Sequence, residues 1–465
     1  MHVSRWLVAV LAFACSRTVA DPQATPHAPV ALAHEIFKEL VEIDTTASNG
    51  DTAKAAHAAA ARLIAAGFPA ADVAVFEPAP KRGNLVARLR GTGAQKPILL
   101  VAHLDVVEAK RTDWTTDPFK LVEQDGYLYG RGTSDDKFMA AAWLADMIEW
   151  KRDGFRPNRD LVIVLETDEE LGASTQAGMT WLIKNHRDLL DAAFALNEGG
   201  GVAVKDGKPA WNSLQTAEKV FQSFTLEVKN KGGHSSQPRK DNAIYELAEA
   251  LVKLEKLEFP VELNDTTRSY FAKMLTIERG QLAADMTALL AAHPDPAAIA
   301  RLSDLPFYNA QLRTTCVATR LDGGHADNAL PQLARATINC RLVPGDKVDD
   351  VQAKLAATIA DPNVAIALID RDVASDPSPI DKSLVAAIEQ LTHKFWPGIP
   401  VVPTMSSGAT DGRFLRNAGI PTYGHSGLAG NILDPRAHGK DERVSIKAFD
   451  TGVQYLYELV MLLAH

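Results

Sequence analysis

Apolar residues recur at helical spacing from about Ala31 to Ala66, where Ile36, Leu40 and Val41 lead into an alanine-rich amphipathic segment ending at Gly67. The pattern then changes to compact aliphatic runs bounded by turn residues: Asn84 to Leu89, Pro97 to Ala102, Leu161 to Leu165 and Ala192 to Leu196. Such runs read as strands buried on both faces, as in mixed or parallel sheets. Helical stretches separate them, notably Lys137 to Lys151 and Thr180 to Leu190. Strands alternating with helices predict an α/β domain, a mixed and mostly parallel sheet flanked by helices.

Near Lys219 the period shortens to two. Phe224, Leu226 and Val228 alternate with polar residues, as do Ala334, Ala336, Ile338, Cys340 and Leu342. That alternation predicts a separate antiparallel sheet with one solvated face. Helical segments from Asn242 to Leu257 and from Thr266 to Leu302 lie between these strands, so residues 218–369 read as an inserted α+β lid or dimerisation domain. The chain returns with a helix from Lys382 to Phe395, a strand near Pro421 to Tyr423 and a terminal helix from Ser445 to Leu463. Residues 31–217 and 370–465 then form the two parts of one catalytic domain. A length of 465 residues agrees with at least two cores.

Composition narrows the class. With 46% hydrophobic and 23% charged residues the chain reads as globular. A net charge of −9 without a basic block argues against a nucleic-acid partner. At the N-terminus Arg5 precedes an apolar run from Trp6 to Cys15, and Thr18-Val19-Ala20 precedes Asp21. This is the layout of a secretory signal peptide cleaved near Ala20, giving a secreted or periplasmic product. The run is too short to span a bilayer. A lipoprotein reading through Cys15 is disfavoured by Phe13, where a small residue is usual. Cys316 and Cys340 fit either a disulfide in an oxidising compartment or two buried thiols on neighbouring strands.

Candidate chemistry gathers where the buried strands end. One runs into His103-Leu104-Asp105, a second into Glu166-Thr167-Asp168-Glu169-Glu170, a third into Asn197-Glu198. Open α/β sheets bind ligands beyond the carboxyl ends of their strands, so a histidine and several carboxylates reach one edge. Asp135, in Gly130-Arg131-Gly132-Thr133-Ser134-Asp135-Asp136-Lys137, would by itself read as a helix cap. His438, in Asp434-Pro435-Arg436-Ala437-His438-Gly439, would by itself read as a solvated loop histidine.

Taken in order, with Gly232-Gly233-His234-Ser235-Ser236, these segments resemble the zinc aminoacylase/carboxypeptidase family, the group of glutamate carboxypeptidase, carboxypeptidase S and dipeptidase V. The resemblance covers nearly the whole chain after residue 20. It implies two zinc ions, with cobalt or manganese as possible substitutes. Asp135 would bridge them, His103 and Glu198 completing one site and Glu170 and His438 the other. Mixed imidazole and carboxylate donors suit such a centre. Glu169 would be the general base for a water shared by the metals, and Asp105 would orient His103. His234 would reach a neighbouring subunit's site and stabilise the oxyanion, which implies a homodimer through the inserted domain. Asn328 and Arg341 match further family positions, with Arg341 as a clamp on the substrate carboxylate. Arg413, in a loop resembling one that lines the family's site, is a further substrate contact.

The expected activity is hydrolysis of an amide or peptide bond next to a free amino-acid carboxylate, of the carboxypeptidase or dipeptidase type. N-acyl-amino-acid deacylation at the same site is the alternative, so the substrate is a small peptide or an N-acyl amino acid. A metal-free binding protein of the same fold would have lost ligands or the base, all of which are present here. A serine hydrolase would need a Gly-x-Ser-x-Gly elbow, which the sequence lacks. Residues from Phe259 to Leu312 are extra relative to compact family members and bear on the shape of the pocket.

Overall fold

The computed structural model describes residues 28–174 and 177–465. The leader segment 1–20 and Cys15 lie outside the described residues.

A large mixed sheet organises the chain. Its strands run in the order Val73–Ala79, Arg82–Leu89, Arg159–Glu166, Gln95–His103, Phe194–Asn197, Thr422–Gly424, Lys208–Glu218, Val202–Lys205 and Ala429–Asn431. Val401–Ser406 pairs with Lys208–Glu218 off this path. The four central strands, from Arg159–Glu166 to Thr422–Gly424, are mutually parallel. Along Gln95–His103, Ile98, Leu100 and Ala102 enter one core, and Leu99 and Val101 enter the other. The uninterrupted aliphatic runs therefore serve two faces, and each fully buried Leu, Ile or Val contributes roughly 1.5–3 kcal/mol. One face is covered by the helices Val30–Val41, Lys137–Arg152, Lys382–Phe395 and Ile446–Leu463, the other by Met179–Asn185 and Gly412–Asn417.

The first helical pattern resolves into two helices, Val30–Val41 and Thr52–Ala65. Local polar chemistry breaks it. Asp44 accepts hydrogen bonds from the backbone N–H and hydroxyl of Thr46, and Asp51 caps the second helix by accepting from Lys54 N at 2.8 Å.

A four-stranded antiparallel sheet, in the order Thr315–Gly323, Leu333–Leu342, Val220–Lys229, Val364–Ile369, forms a second layer. Its inward residues Phe224, Leu226, Val228, Ala336 and Ile338 pack with the helices Ala243–Glu255 and Val348–Ile359. Cys316 and Cys340 sit directly opposite on adjacent strands and form a disulfide. The helices Asp265–Met274, Gly280–Leu289, Pro296–Ser303 and Pro306–Leu312 also belong to the span 218–369, but they pack elsewhere. Tyr270, Phe271, Met286, Leu302 and Leu312 share a core with Ala203, Trp211 and Val402 of the large sheet. The span is thus divided between two layers, because these short helices present their apolar faces to the large sheet. Among the described residues no helix is long and apolar enough to cross a membrane.

Candidate active site

Strand register sets the floor of the site. His103 pairs with Glu166 across parallel strands, and Leu100 pairs with Leu196, so the three strands finish within two residues of one another in register. The buried His103 ring places Nδ1 2.9 Å from the backbone carbonyl of Asp105, which accepts its proton. Nε2 then faces Asp135 Oδ1 at 3.0 Å and Glu198 Oε2 at 3.9 Å. On the other side of Asp135, His438 Nε2 lies 3.1 Å from Asp135 Oδ2 and 3.1 Å from Glu170 Oε2. The result is two donor groups, His103–Asp135–Glu198 and Asp135–Glu170–His438, that share one carboxylate.

Each donor is held by its surroundings. The Asp105 carboxylate accepts the backbone N–H groups of Glu169 (3.2 Å) and Glu170 (3.1 Å) and lies 3.7 Å from His103 Nδ1. It therefore fixes the Glu169–Glu170 turn as well as standing beside the histidine. Glu442 is fully buried and ties the Asp135 loop to the His438 loop. It accepts from Arg131 Nη1 (2.7 Å), Gly132 N (3.0 Å), Ser134 N (2.7 Å), Ser134 Oγ (2.9 Å) and Asp135 N (3.2 Å). Sequence reasoning passed over Glu442. Its signal was weak: an acid four residues past His438, beside a loop whose arginine needed a partner.

Electrostatics follow from this crowding. Burial pushes Asp135 up, but the hydrogen bonds from His103 and His438 outweigh it and hold the carboxylate below its ordinary range. His438 is raised to about 10 by its hydrogen bonds to Asp135 and Glu170. Burial opposes protonation of His103, yet Asp105 and Asp135 hold its pKa well above the usual value. Burial raises Glu169 well above the ordinary glutamate range, and the neighbouring Asp411, Glu170 and Asp105 carboxylates add to that against the opposing His103. Glu166 and Asp411 are two further buried carboxyls, both raised by burial, Glu166 also by the charge of Asp411.

The donor set fits divalent transition metals. Two imidazole nitrogens and three carboxylates converge on two points with one carboxylate common to both, and Glu170 Oε1 is buried without a hydrogen-bond partner. The His438 side chain is 57% exposed, which leaves the pair open on one side, as catalysis requires.

The other candidates lie outside the two donor groups. His234 is exposed on the short strand Gly233–His234, paired with Ala329–Leu330. Its Nδ1 accepts from Ser236 N at 3.1 Å, so the neutral ring presents an N–H at Nε2. Asn328 is exposed beside it, its backbone carbonyl accepting from Ser235 N at 3.0 Å. Among the described residues, neither makes a hydrogen bond or ion pair to the donor cluster. Arg341 is half-buried, stacked over Phe221 at 4.6 Å with Nη1 donating to Ser407 O at 3.2 Å. Arg413 is buried; Nη1 donates to Thr410 O at 2.6 Å, and Nε lies 3.4 Å from Asp372 Oδ1.

Beside the donors opens a cleft of about 1130 Å³. It begins at Ser134, Gly199 and Ala437, the chain neighbours of Asp135, Glu198 and His438, and continues between Trp211, Tyr270, Phe307, Trp396 and Met405.

A mixed sheet delivering shared histidine and carboxylate donors to an open cleft defines a metal-dependent hydrolase. The chain belongs to peptidase family M20/M25/M40, whose pattern matches residues 99–462, and it is an enzyme of the metallopeptidase and metallo-amidohydrolase class. It is 30% identical over 381 residues to the human N-fatty-acyl-amino acid synthase/hydrolase PM20D1, covering 78% of this chain and 74% of that protein. It is 30% identical over 376 residues to the probable carboxypeptidase S-like 2 of Dictyostelium discoideum, covering 78% and 71%. The fold is similar to that of an M20 family metallo-carboxypeptidase from Sulfolobus solfataricus, with a TM-score of 0.70 at 18% identity, over 92% of this chain and 98% of that one. Human carnosine dipeptidase 1 matches with a TM-score of 0.66 at 17% identity, over 95% and 100%.

Proposed function

We propose that the chain hydrolyses N-acyl amino acids, cutting the amide bond beside the free carboxylate with the help of two zinc ions that His103, Asp135, Glu170, Glu198 and His438 would hold. The observation that carries this reading is the cleft that starts at the chain neighbours of Asp135, Glu198 and His438 and has Trp211, Phe307 and Trp396 in its wall. Its aromatic stretch suits an acyl chain, while Arg436, Arg443 and Lys447 in the same wall suit a carboxylate. The fatty-acyl hydrolase named among the relatives supports the same preference over the carboxypeptidase type. Peptide cleavage is the second reading, favoured by the relatives named carboxypeptidase S.

Bound cations would supply an activated water and polarise the scissile carbonyl. Glu169 takes the proton from the attacking water and passes it to the leaving nitrogen, so the products are a carboxylic acid and a free amino acid. Burial suits Glu169 to this exchange by raising its pKa towards the working range. Arg341 clamps the substrate carboxylate and Arg413 lines the substrate's approach, while Asn328, held beside His234, comes with it from a second copy. The Nε2–H of His234, supplied by a second copy, faces the developing oxyanion.

That role requires a homodimer. Supporting it, the edge strand Thr315–Gly323 and the helix Ala243–Glu255 carry the exposed apolar residues Val317, Leu321, Tyr245 and Val252. On this reading residues 31–217 and 370–465 form the catalytic domain, and the strands of 218–369 form the inserted dimerisation domain. The Cys316–Cys340 disulfide supports an exported protein.

The test is turnover by zinc-loaded protein of matched panels, dipeptides and N-acyl amino acids with the same C-terminal residues. Faster cleavage of the acylated panel supports the proposal; faster cleavage of the dipeptides replaces it with the second reading. Activity that persists after thorough chelation overturns both.

A further inference from the structure

We infer that the helical insert, residues 265–312, sets the acyl-chain preference, with Phe307 as the specificity-determining residue. This rests on the proposed N-acyl-amino-acid reading and goes beyond it by assigning the part of the chain that measures the substrate. The insert forms none of the metal donors. Instead its apolar faces join Ala203, Trp211 and Val402 of the large sheet, and Tyr270, Phe307 and Gln311 stand in the cleft wall.

Two features make the wall a measuring device. The first is distance. The cleft starts beside Glu198 at Gly199 and Gly200 and follows the strand Val202–Lys205 away from the donors, with Val204 still lining it. At ~3.3 Å per residue the path from Gly200 to Val204 is about 13 Å. The insert packs against this stretch, at Ala203 and Trp211. A short acyl group ends before it; a long one lies along it.

The second is exposure. Phe307 is 58% exposed although aromatic, on the helix Pro306–Leu312, with Tyr270 at a centroid distance of 6.3 Å. Tyr270 itself is buried behind it in the insert's core. An uncovered aromatic ring on the wall of a cleft gains its burial when an apolar chain is laid over it. The cleft's start at the chain neighbours of Asp135, Glu198 and His438 assigns the occupant as the acyl chain of the substrate being cut.

The experiment is kcat/KM for one amino acid carrying straight acyl chains from acetyl to hexadecanoyl, with wild type, Phe307→Ala and Phe307→Asp, and metal content measured on each. Wild type should gain with length, by up to about four-fold per methylene that becomes buried. Phe307→Ala should lower the hexadecanoyl-to-acetyl ratio about ten-fold, and Phe307→Asp further, mainly through KM. Because Phe307 is largely exposed, these variants test the wall without emptying a core. Wild type that cleaves acetyl substrate without preference for length, or variants whose length profiles parallel wild type, overturn this inference and leave the proposed function standing. Failure to cleave any acyl amino acid overturns both.

Discussion

The backbone N–H of Asp135 donates to Glu442 Oε1 at 3.2 Å, so the carboxylate shared by both donor groups is steadied by a residue four positions beyond His438. Glu442 thereby joins two distant loops into one wall of the site. Replacing it with alanine leaves Arg131 and three backbone donors facing a hole.

Glu442→Ala is therefore expected to destabilise the fold by about 3–5 kcal/mol, the usual result of breaking a buried ion pair from one side. It should also lower metal occupancy, while Glu442→Gln retains part of both. Thermal unfolding and metal analysis of the two variants check this.

Glu169→Gln is expected to keep its metal, because Glu169 belongs to neither donor group, and to lose about 10²–10⁴-fold in kcat. Metal content and kcat measured on one preparation separate the base from a ligand.

Metal binding is expected to release protons and to tighten as pH rises. His438 has a pKa of about 10 through its hydrogen bonds to Asp135 and Glu170, so at neutral pH its ring is protonated and that proton must leave before Nε2 can ligate. Calorimetry of zinc binding in buffers of different ionisation enthalpy reads the release directly, and chelation should abolish turnover.

Acid should destabilise the protein through a residue outside both donor groups. His425 is buried between Ser213 O (2.8 Å) and the Tyr455 hydroxyl (2.7 Å), and burial lowers its pKa to about 4. The unfolded chain, with a value near 6.5, binds the proton more readily. Nothing is lost above pH 6.5; stability then falls with pH, and the loss is complete below about pH 4 at roughly 3 kcal/mol. Urea unfolding between pH 7 and pH 4 should show this slope, reduced in His425→Gln.

Reducing the Cys316–Cys340 disulfide, which closes a loop with a sequence separation of 24, is expected to cost about 3 kcal/mol. Thermal unfolding with and without reductant measures it.

The sequence speaks most clearly where one pattern has one cause. Aliphatic runs ending in His103, Glu166 and Asn197 are legible because strands buried on both faces tolerate few polar residues until they emerge. The helix Lys382–Phe395 is bounded as its periodicity predicts, with Asp381 accepting from Ser383 N and Leu384 N. Other elements are hidden for physical reasons. Val73–Ala79 is a partly exposed edge strand with Pro78 within it, and Val401–Ser406 carries Pro403, so neither reads as a strand. The insert's placement is decided by which sheet offers a free apolar face, and local spacing does not encode that. Glu442 is obscured because its partners, Arg131 to Asp135, are more than three hundred positions away in the chain.

The donors come from separate stretches between residue 103 and residue 438, brought together by parallel strands and a returning C-terminal segment. No short fragment contains a complete pair of donor groups. Metal capture is accordingly expected to wait on folding, because contacts of such long range are slow to form. An ion that arrives then locks the finished topology by mass action. The centre thus doubles as an inspection mark, distinguishing polypeptide that has completed its architecture from polypeptide that has merely collapsed.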